Sequence, residues 1–140
     1  MISNLKIEFN FHQAGVIPYR KANNSIEILL ITSRRRQRWI IPKGYVEFNL
    51  TSFESAKKEA YEEAGVIGSN ETYELGELIF DKPIGKCLMK IYSMEVVKIL
   101  DKYPESEFRK RQWFPFEEAI SKIEMNGVAE LMTKIKKSII

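Results

Sequence analysis

The chain has one cysteine, Cys87, and one histidine, His12, among its 140 residues. A lone cysteine excludes an internal disulfide, and neither residue type recurs at a zinc-ligand spacing. Cys87 lies in an apolar, strand-like run and reads as core filler, and His12 as a structural or surface residue. No stretch approaches the ~18 consecutive apolar residues of a membrane-spanning helix. The opening MISNLKIEFNFHQ lacks the charged-then-apolar layout of a secretory signal, so a reducing, cytoplasmic setting away from membranes is the expectation. Net charge is small as well: 22 basic against 19 acidic residues give +3, too little to argue for nucleic acid. There is no glycine-lysine phosphate loop, no aromatic-rich RNA-binding motif, and no repeat or linker. What remains is a chain 44% hydrophobic and 29% charged, ordinary values for a soluble globular protein, read as one domain over residues 1–140.

Hydrophobic spacing supplies the elements. Gln13 to Tyr19 and Ile26 to Thr32 read as strands separated by the turn Lys21-Ala-Asn-Asn-Ser25. Trp39-Ile-Ile41 is a short strand stopped by Pro42-Lys43-Gly44. From Thr51 the period changes to 3.6. Thr51 with Glu54 forms a capping box, and Phe53, Ala56, Ala60 and Ala64 form a packed stripe that ends at Gly65. Tyr73–Phe80 and Lys86–Val97 read as strands, and Asp101–Arg111 as a loop leading to Trp113-Phe114. Pro115 opens a helix with Ala119, Ile120 and Ile123 on one face. Asn126 caps a last helix whose Val128, Leu131, Ile135 and Ile139 point inward. The order implies an α/β fold with a sheet between helices.

The helix from Thr51 carries Glu59, Glu62 and Glu63 at i, i+3 and i+4, so three carboxylates share one face. Like charges so crowded repel, and a hard divalent cation relieves them through oxygen ligands. On the glutamates alone a solvated face is the more ordinary reading, because such runs are common and Lys58 stands four residues from both Glu54 and Glu62.

The frame around those glutamates decides between the two. The segment GYVEFNLTSFESAKKEAYEEAGV, Gly44 to Val66, resembles the Nudix box in unbroken register. Gly44 stands at the opening glycine, Glu59 at the first helix glutamate, Ala60 at the aliphatic position, Glu62 and Glu63 at the pair, and Gly65-Val66 at the close. Leu50 replaces the box's first glutamate and Lys58 its arginine. Lysine keeps the charge but loses the bidentate fork, and leucine removes a carboxylate; Glu47 is a candidate substitute. Ala14-Gly-Val-Ile17, Glu27–Thr32, Trp39-Ile-Ile-Pro-Lys-Gly44 and Trp113–Ala119 are similar to further family segments, the third to members acting on diphosphoinositol and diadenosine polyphosphates.

The resemblance implies a Nudix fold, a mixed β-sheet sandwiched between α-helices. It implies a hydrolase that cleaves a phosphoanhydride bond in a nucleoside-diphosphate-linked or polyphosphorylated substrate. Mg²⁺, or Mn²⁺ in its place, would be bound by Glu59 and Glu63 with help from Glu62 and the main chain near Lys43. A glutamate before the late tryptophan serves as base in many relatives. Glu107 is the first choice here, Glu105 the second and Glu62 the third, with Glu62 and Glu63 also counted among catalytic residues.

Arg34, Arg35, Arg36 and Arg38, crowded into five positions, precede the box, and Lys43 and Gly44 adjoin it. Arg34, Arg36, Arg38, Lys43 and Gly44 are the expected substrate contacts, although a plain basic turn explains the arginines equally well. Arg109, Lys110 and Arg111 add a second basic run. This charge favours a highly anionic partner: a diphosphoinositol polyphosphate, a dinucleoside polyphosphate or a triphosphorylated RNA end. Trp39, Tyr45 and Phe48 are candidates to stack on a base, Trp39 more naturally as core. A monomer or homodimer fits the family. Two other classes stay open: a Nudix-like ligand sensor weakened at Leu50 and Lys58, and an RNA-binding domain built on the arginines. Leu50→Glu is expected to raise metal affinity or turnover; no gain in a metal titration of that variant would mean the pocket is built around leucine.

Overall fold

The computed structural model describes residues 9–139. The strands are β1 (Phe11–Ala22), β2 (Ser25–Thr32), β3 (Trp39–Ile40), β4 (Lys43–Tyr45), β5 (Val66–Lys82), β6 (Gly85–Ile99) and β7 (Arg111–Pro115). The helices are α1 (Ser52–Glu59), which continues into a π-helical turn over Ala60–Ala64, α2 (Phe116–Lys122) and α3 (Val128–Ile139). One mixed sheet holds all the strands, with the path β3-β2-β1-β6-β5. β1 is its hub. One edge runs parallel to β6 from Phe11 to Tyr19; β1 also pairs antiparallel with β2 through Tyr19–Ala22 and with β4 through Gln13–Gly15.

Both faces of this sheet are covered, which is why β1 and β2 read as almost unbroken apolar runs. Alternate residues serve opposite cores. Ile17, Ile28 and Leu30 join Ala119, Val128, Leu131, Met132 and Ile135, from α2 and α3, on one face. Val16, Leu29 and Ile31 meet Ala56, Ala60 and Ala64 on the other. The three alanines are fully buried, and their small side chains let the helix backbone lie close to the sheet. The expected layering of sheet between helices is thus present.

The local departures have physical causes. The capping box is formed as expected: Thr51 Oγ1 accepts from the Glu54 N–H at 3.0 Å, and Glu54 Oε1 accepts from the Thr51 N–H at 2.9 Å. The helix does not stay α-helical to Ala64, however. It widens from Ala60 into a π turn, a feature common at functional sites, and this turn carries Glu62 and Glu63. β5 begins directly after Gly65, seven residues before the expected strand at Tyr73, and pairs with β6 through register shifts near Gly68 and Gly76. Those irregularities break the alternation that would have revealed it. Lys43 and Gly44, expected only as part of a stop after Ile41, form a strand with Tyr45 by pairing with Gln13–Gly15 of β1. α3 starts at Val128; Asn126, expected as its cap, lies in the preceding turn, where Gly127 has φ 88°. The Ile139 side chain lies outside the described residues.

Gly65 ends the π turn at φ 67°, where a side chain is strained, and a β-carbon there would run into Tyr103 and Arg111. Gly65→Ala is expected to destabilise the protein by at least about 1–2 kcal/mol. A thermal melt unchanged from the parent would show that this close approach carries no constraint.

Candidate active site

The seat of the site is the contact between β4 and the box helix. A β-carbon on Gly44 would overlap the Glu59 carboxyl group, so any side chain there would have to displace that carboxyl from its place. One residue earlier, the Lys43 N–H donates to Glu63 Oε1 at 3.2 Å. Glu63 is buried, at 7% exposure, which is rare for a carboxylate without partners. Its second oxygen lies 3.4 Å from Arg109 Nη2.

The Glu59 and Glu63 carboxyl groups face each other within hydrogen-bonding reach, and a bond between them needs a proton on one of the two. Burial, then this bond and the charges of Glu63, Glu62 and Glu105, push the Glu59 carboxyl up to about 8. Burial raises Glu63 too, opposed by Arg109, by the bond from Glu59 and by the Lys43 N–H. Lys43 is itself lowered, chiefly by burial, although Glu63 pulls the other way.

Glu62 points elsewhere: Lys58 Nζ stands 3.9 Å from it and 2.8 Å from Glu47 Oε1. Lys58, at the box's arginine position, therefore finds its carboxylate at Glu47, while Leu50 stays partly buried in the loop. Among the described residues no three acidic, histidine or cysteine side chains gather around one point. The protein offers instead an open pair of carboxylates, Glu59 and Glu63. That donor set fits Mg²⁺, which keeps several waters and takes one or two carboxylates beside phosphate oxygens.

The loop between β6 and β7 is fastened to the same helix end. Arg111 Nη1 donates to the Ala64 carbonyl at 2.9 Å and lies over the Tyr103 ring, 4.7 Å from its centroid. The Glu105 N–H donates to the Glu62 carbonyl at 3.0 Å. The Glu105 side chain accepts from Arg109 Nε at 3.0 Å, and its charge reaches both Glu59 and Glu63. Glu107 is exposed, and its carboxylate pairs with no cation among the described residues. Glu107 stands four residues before Arg111 just as Glu105 stands four before Arg109, so spacing along the chain does not rank one above the other.

Beside the acid pair opens a cleft of about 470 Å³ lined by Arg34, Arg35, Arg36, Arg38, Lys43, Arg109 and Glu124. The arginines occupy a turn, with Gln37 at φ 54°, and so escape the alternation of a strand. Gly44 does not line the cleft; its part is to admit Glu59. Trp39 packs edge-on against Phe114, 5.0 Å between ring centroids, as core, while Tyr45 and Phe48 are exposed. Cys87 is buried, with Sγ 3.5 Å from Gln13 Oε1.

A family model for the NUDIX domain matches residues 11–134. The chain belongs to the Nudix family. Members of this family are hydrolases that cleave pyrophosphate bonds in nucleoside diphosphate derivatives, generally with divalent cations. The chain is 33% identical over 128 residues to Nudix hydrolase 12, mitochondrial, of Arabidopsis thaliana, covering 76% of this chain and 63% of that protein. It is 32% identical over 130 residues to human diphosphoinositol polyphosphate phosphohydrolase 2, covering 89% and 69%. The fold is shared with an Ap4A hydrolase of C. elegans, with TM-score 0.70 and 22% identity over 93% of this chain and 98% of that one. It is shared too with the NUDIX domain of Shewanella oneidensis NrtR, solved with ADP ribose, with TM-score 0.75 and 9% identity over 99% and 96%. Relatives named as hydrolases support a Nudix pyrophosphohydrolase as the enzyme class. No helix among the described residues is long and apolar enough to cross a membrane.

The raised Glu59 sets a pH dependence. A carboxyl that binds its proton more tightly folded than unfolded adds stability below its ordinary value of 4.5 and loses it as pH rises to about 8. Chelator-treated protein should therefore melt at falling temperature across that window, and Glu59→Gln should flatten the slope. A slope unchanged in Glu59→Gln would remove the assignment to this residue.

Proposed function

We propose that the chain is a metal-dependent hydrolase of a phosphoanhydride bond in a highly anionic, nucleotide-like or polyphosphorylated small molecule. One observation carries this: Lys43 and Arg109 both touch Glu63 and both line the arginine cleft, so acid pair and anion cleft are one continuous surface. In this reading Glu59 and Glu63 hold Mg²⁺, with Mn²⁺ an alternative. The bound cation supplies neutralisation of phosphate charge and polarisation of the bond to be broken. Arg34, Arg36, Arg38 and Lys43 grip and orient the phosphates. Glu105, in preference to Glu107, accepts the proton of the attacking water, because it faces the acid pair from a tethered loop. Glu62, 3.9 Å from Lys58 Nζ, stays outside the metal-binding pair in this reading.

Cleft chemistry favours diphosphoinositol or dinucleoside polyphosphates, with a triphosphorylated RNA end as a further candidate. The names of relatives point the same way for those proteins. Residues 1–140 act here as one catalytic domain, as a monomer or homodimer. The cytoplasmic setting is part of the proposal; several relatives are named mitochondrial. A sensor that binds without turnover is the second reading, favoured by the carboxylate lost at Leu50.

The test is phosphate or pyrophosphate release from diadenosine polyphosphates, diphosphoinositol polyphosphates, nucleoside triphosphates and triphosphorylated RNA, with Mg²⁺, Mn²⁺ or chelator. Turnover is expected to need metal and to fall about 100-fold or more in Glu63→Gln, with the fold retained. An unchanged rate in that variant removes the site. Tight binding of one compound without any turnover selects the sensor.

A further inference from the structure

Arg109 differs from the arginines it shares the cleft with. Arg34, Arg35, Arg36 and Arg38 are exposed, whereas the Arg109 side chain is 10% exposed and uses all three guanidinium nitrogens inside the protein. Nε donates to Glu105 at 3.0 Å, Nη1 to the Thr32 carbonyl at 3.1 Å, and Nη2 faces Glu63 at 3.4 Å. Its neighbour Lys110 is pinned to the same residue: the Lys110 N–H donates to Thr32 Oγ1 at 2.8 Å, and the Thr32 N–H to the Lys110 carbonyl at 2.9 Å. A guanidinium so committed has little of its fork left for a phosphate.

The charges of the two carboxylates it joins both reach a third carboxyl, that of Glu59. Glu105 is tied through its backbone to Glu62, and its charge is felt by Glu59 and Glu63. Carboxylates are hard ligands that collect around a divalent cation when nothing holds them off. Arg109, bonded to Glu105 on one side and Glu63 on the other, is what holds this one off. We propose that Arg109 is a positioning residue that divides the two carboxylates between tasks, keeping Glu63 with the cation and Glu105 turned toward the attacking water. This rests on the hydrolase reading for its catalytic half and on the contacts alone for its metal-binding half.

The two halves are tested apart, on the full chain. Isothermal titration with Mn²⁺ and no substrate compares the parent with Arg109→Gln, Glu105→Gln and the double variant. Arg109→Gln is expected to bind Mn²⁺ severalfold more tightly, because a cation has left and Glu105 is free to join. The double variant should return to the parent affinity. With diadenosine tetraphosphate as probe, Arg109→Gln should lose at least about tenfold in kcat with KM little changed, and adding Glu105→Gln should cost little more. Weaker or unchanged Mn²⁺ binding in Arg109→Gln would overturn the proposal. So would a rise in KM at constant kcat, the signature of a phosphate clamp, or kcat losses that simply multiply. A parent that binds Mn²⁺ but turns over none of the compounds would sink the hydrolase reading; the Mn²⁺ series would still decide what Arg109 does. Should Arg109→Gln fail to fold, Arg109→Lys carries the same two measurements, since an ammonium lacks the fork that spans both carboxylates.

Discussion

Two carboxylates pressed against the backbone of β4 govern the rest of this structure. Glu59 fills the space left by the missing side chain of Gly44, and Glu63 takes the N–H of Lys43. Removing a carboxylate from water costs several kcal/mol unless partners replace the lost hydration. Glu63 has a backbone donor and Arg109; Glu59 has mainly Glu63 itself. The shortfall appears as a proton held to about pH 8. A cation would make good the same deficit, which is why the helix must sit this close to β4. The fully buried alanines 56, 60 and 64 make that seating possible on the sheet side.

Around this seat the basic residues fall into two groups with different physics. The arginines of the β2–β3 turn are exposed, with Arg34 over the Phe108 ring, and their guanidinium groups are available to an anion in the cleft. Arg109 and Arg111 are spent on carboxylates, carbonyls and the Tyr103 ring, and bind the β6–β7 loop to the helix end. The loop acid Glu105 and the helix acids are therefore placed by shared hydrogen bonds. Lys58 belongs to neither group: its pair with Glu47 is solvent-exposed and worth little in stability. It does place a carboxylate near the box lysine although Leu50 supplies none.

Local signals were strong in this chain where one element explains itself. The capping box at Thr51, the alanine stripe and the Gly65 stop are visible in sequence because each depends on neighbours within a few residues. The Nudix match over Gly44–Val66 likewise rests on side chains at fixed spacing. The early part of β5 was not visible, since its register shifts interrupt the alternation that marks a strand. β4 was hidden because a three-residue strand exists only by virtue of its partner. Glu107 and Glu105 look alike from sequence; only the bond to Arg109 and the tether to Glu62 separate them.

By itself the sequence determined the family, the order of the layers, the acidic helix face and the richness in arginine before the box. These follow from spacing along the chain, which a periodic backbone converts directly into shared faces. The tertiary structure alone decided that the arginines line one cleft with Arg109, that Glu63 turns inward onto the Lys43 N–H, and that Arg109, already four residues from Glu105, also reaches Glu63 and Thr32. Those outcomes depend on distances between residues 20 to 80 positions apart. No local spacing encodes such distances; the crossing of strands and the depth of burial set them.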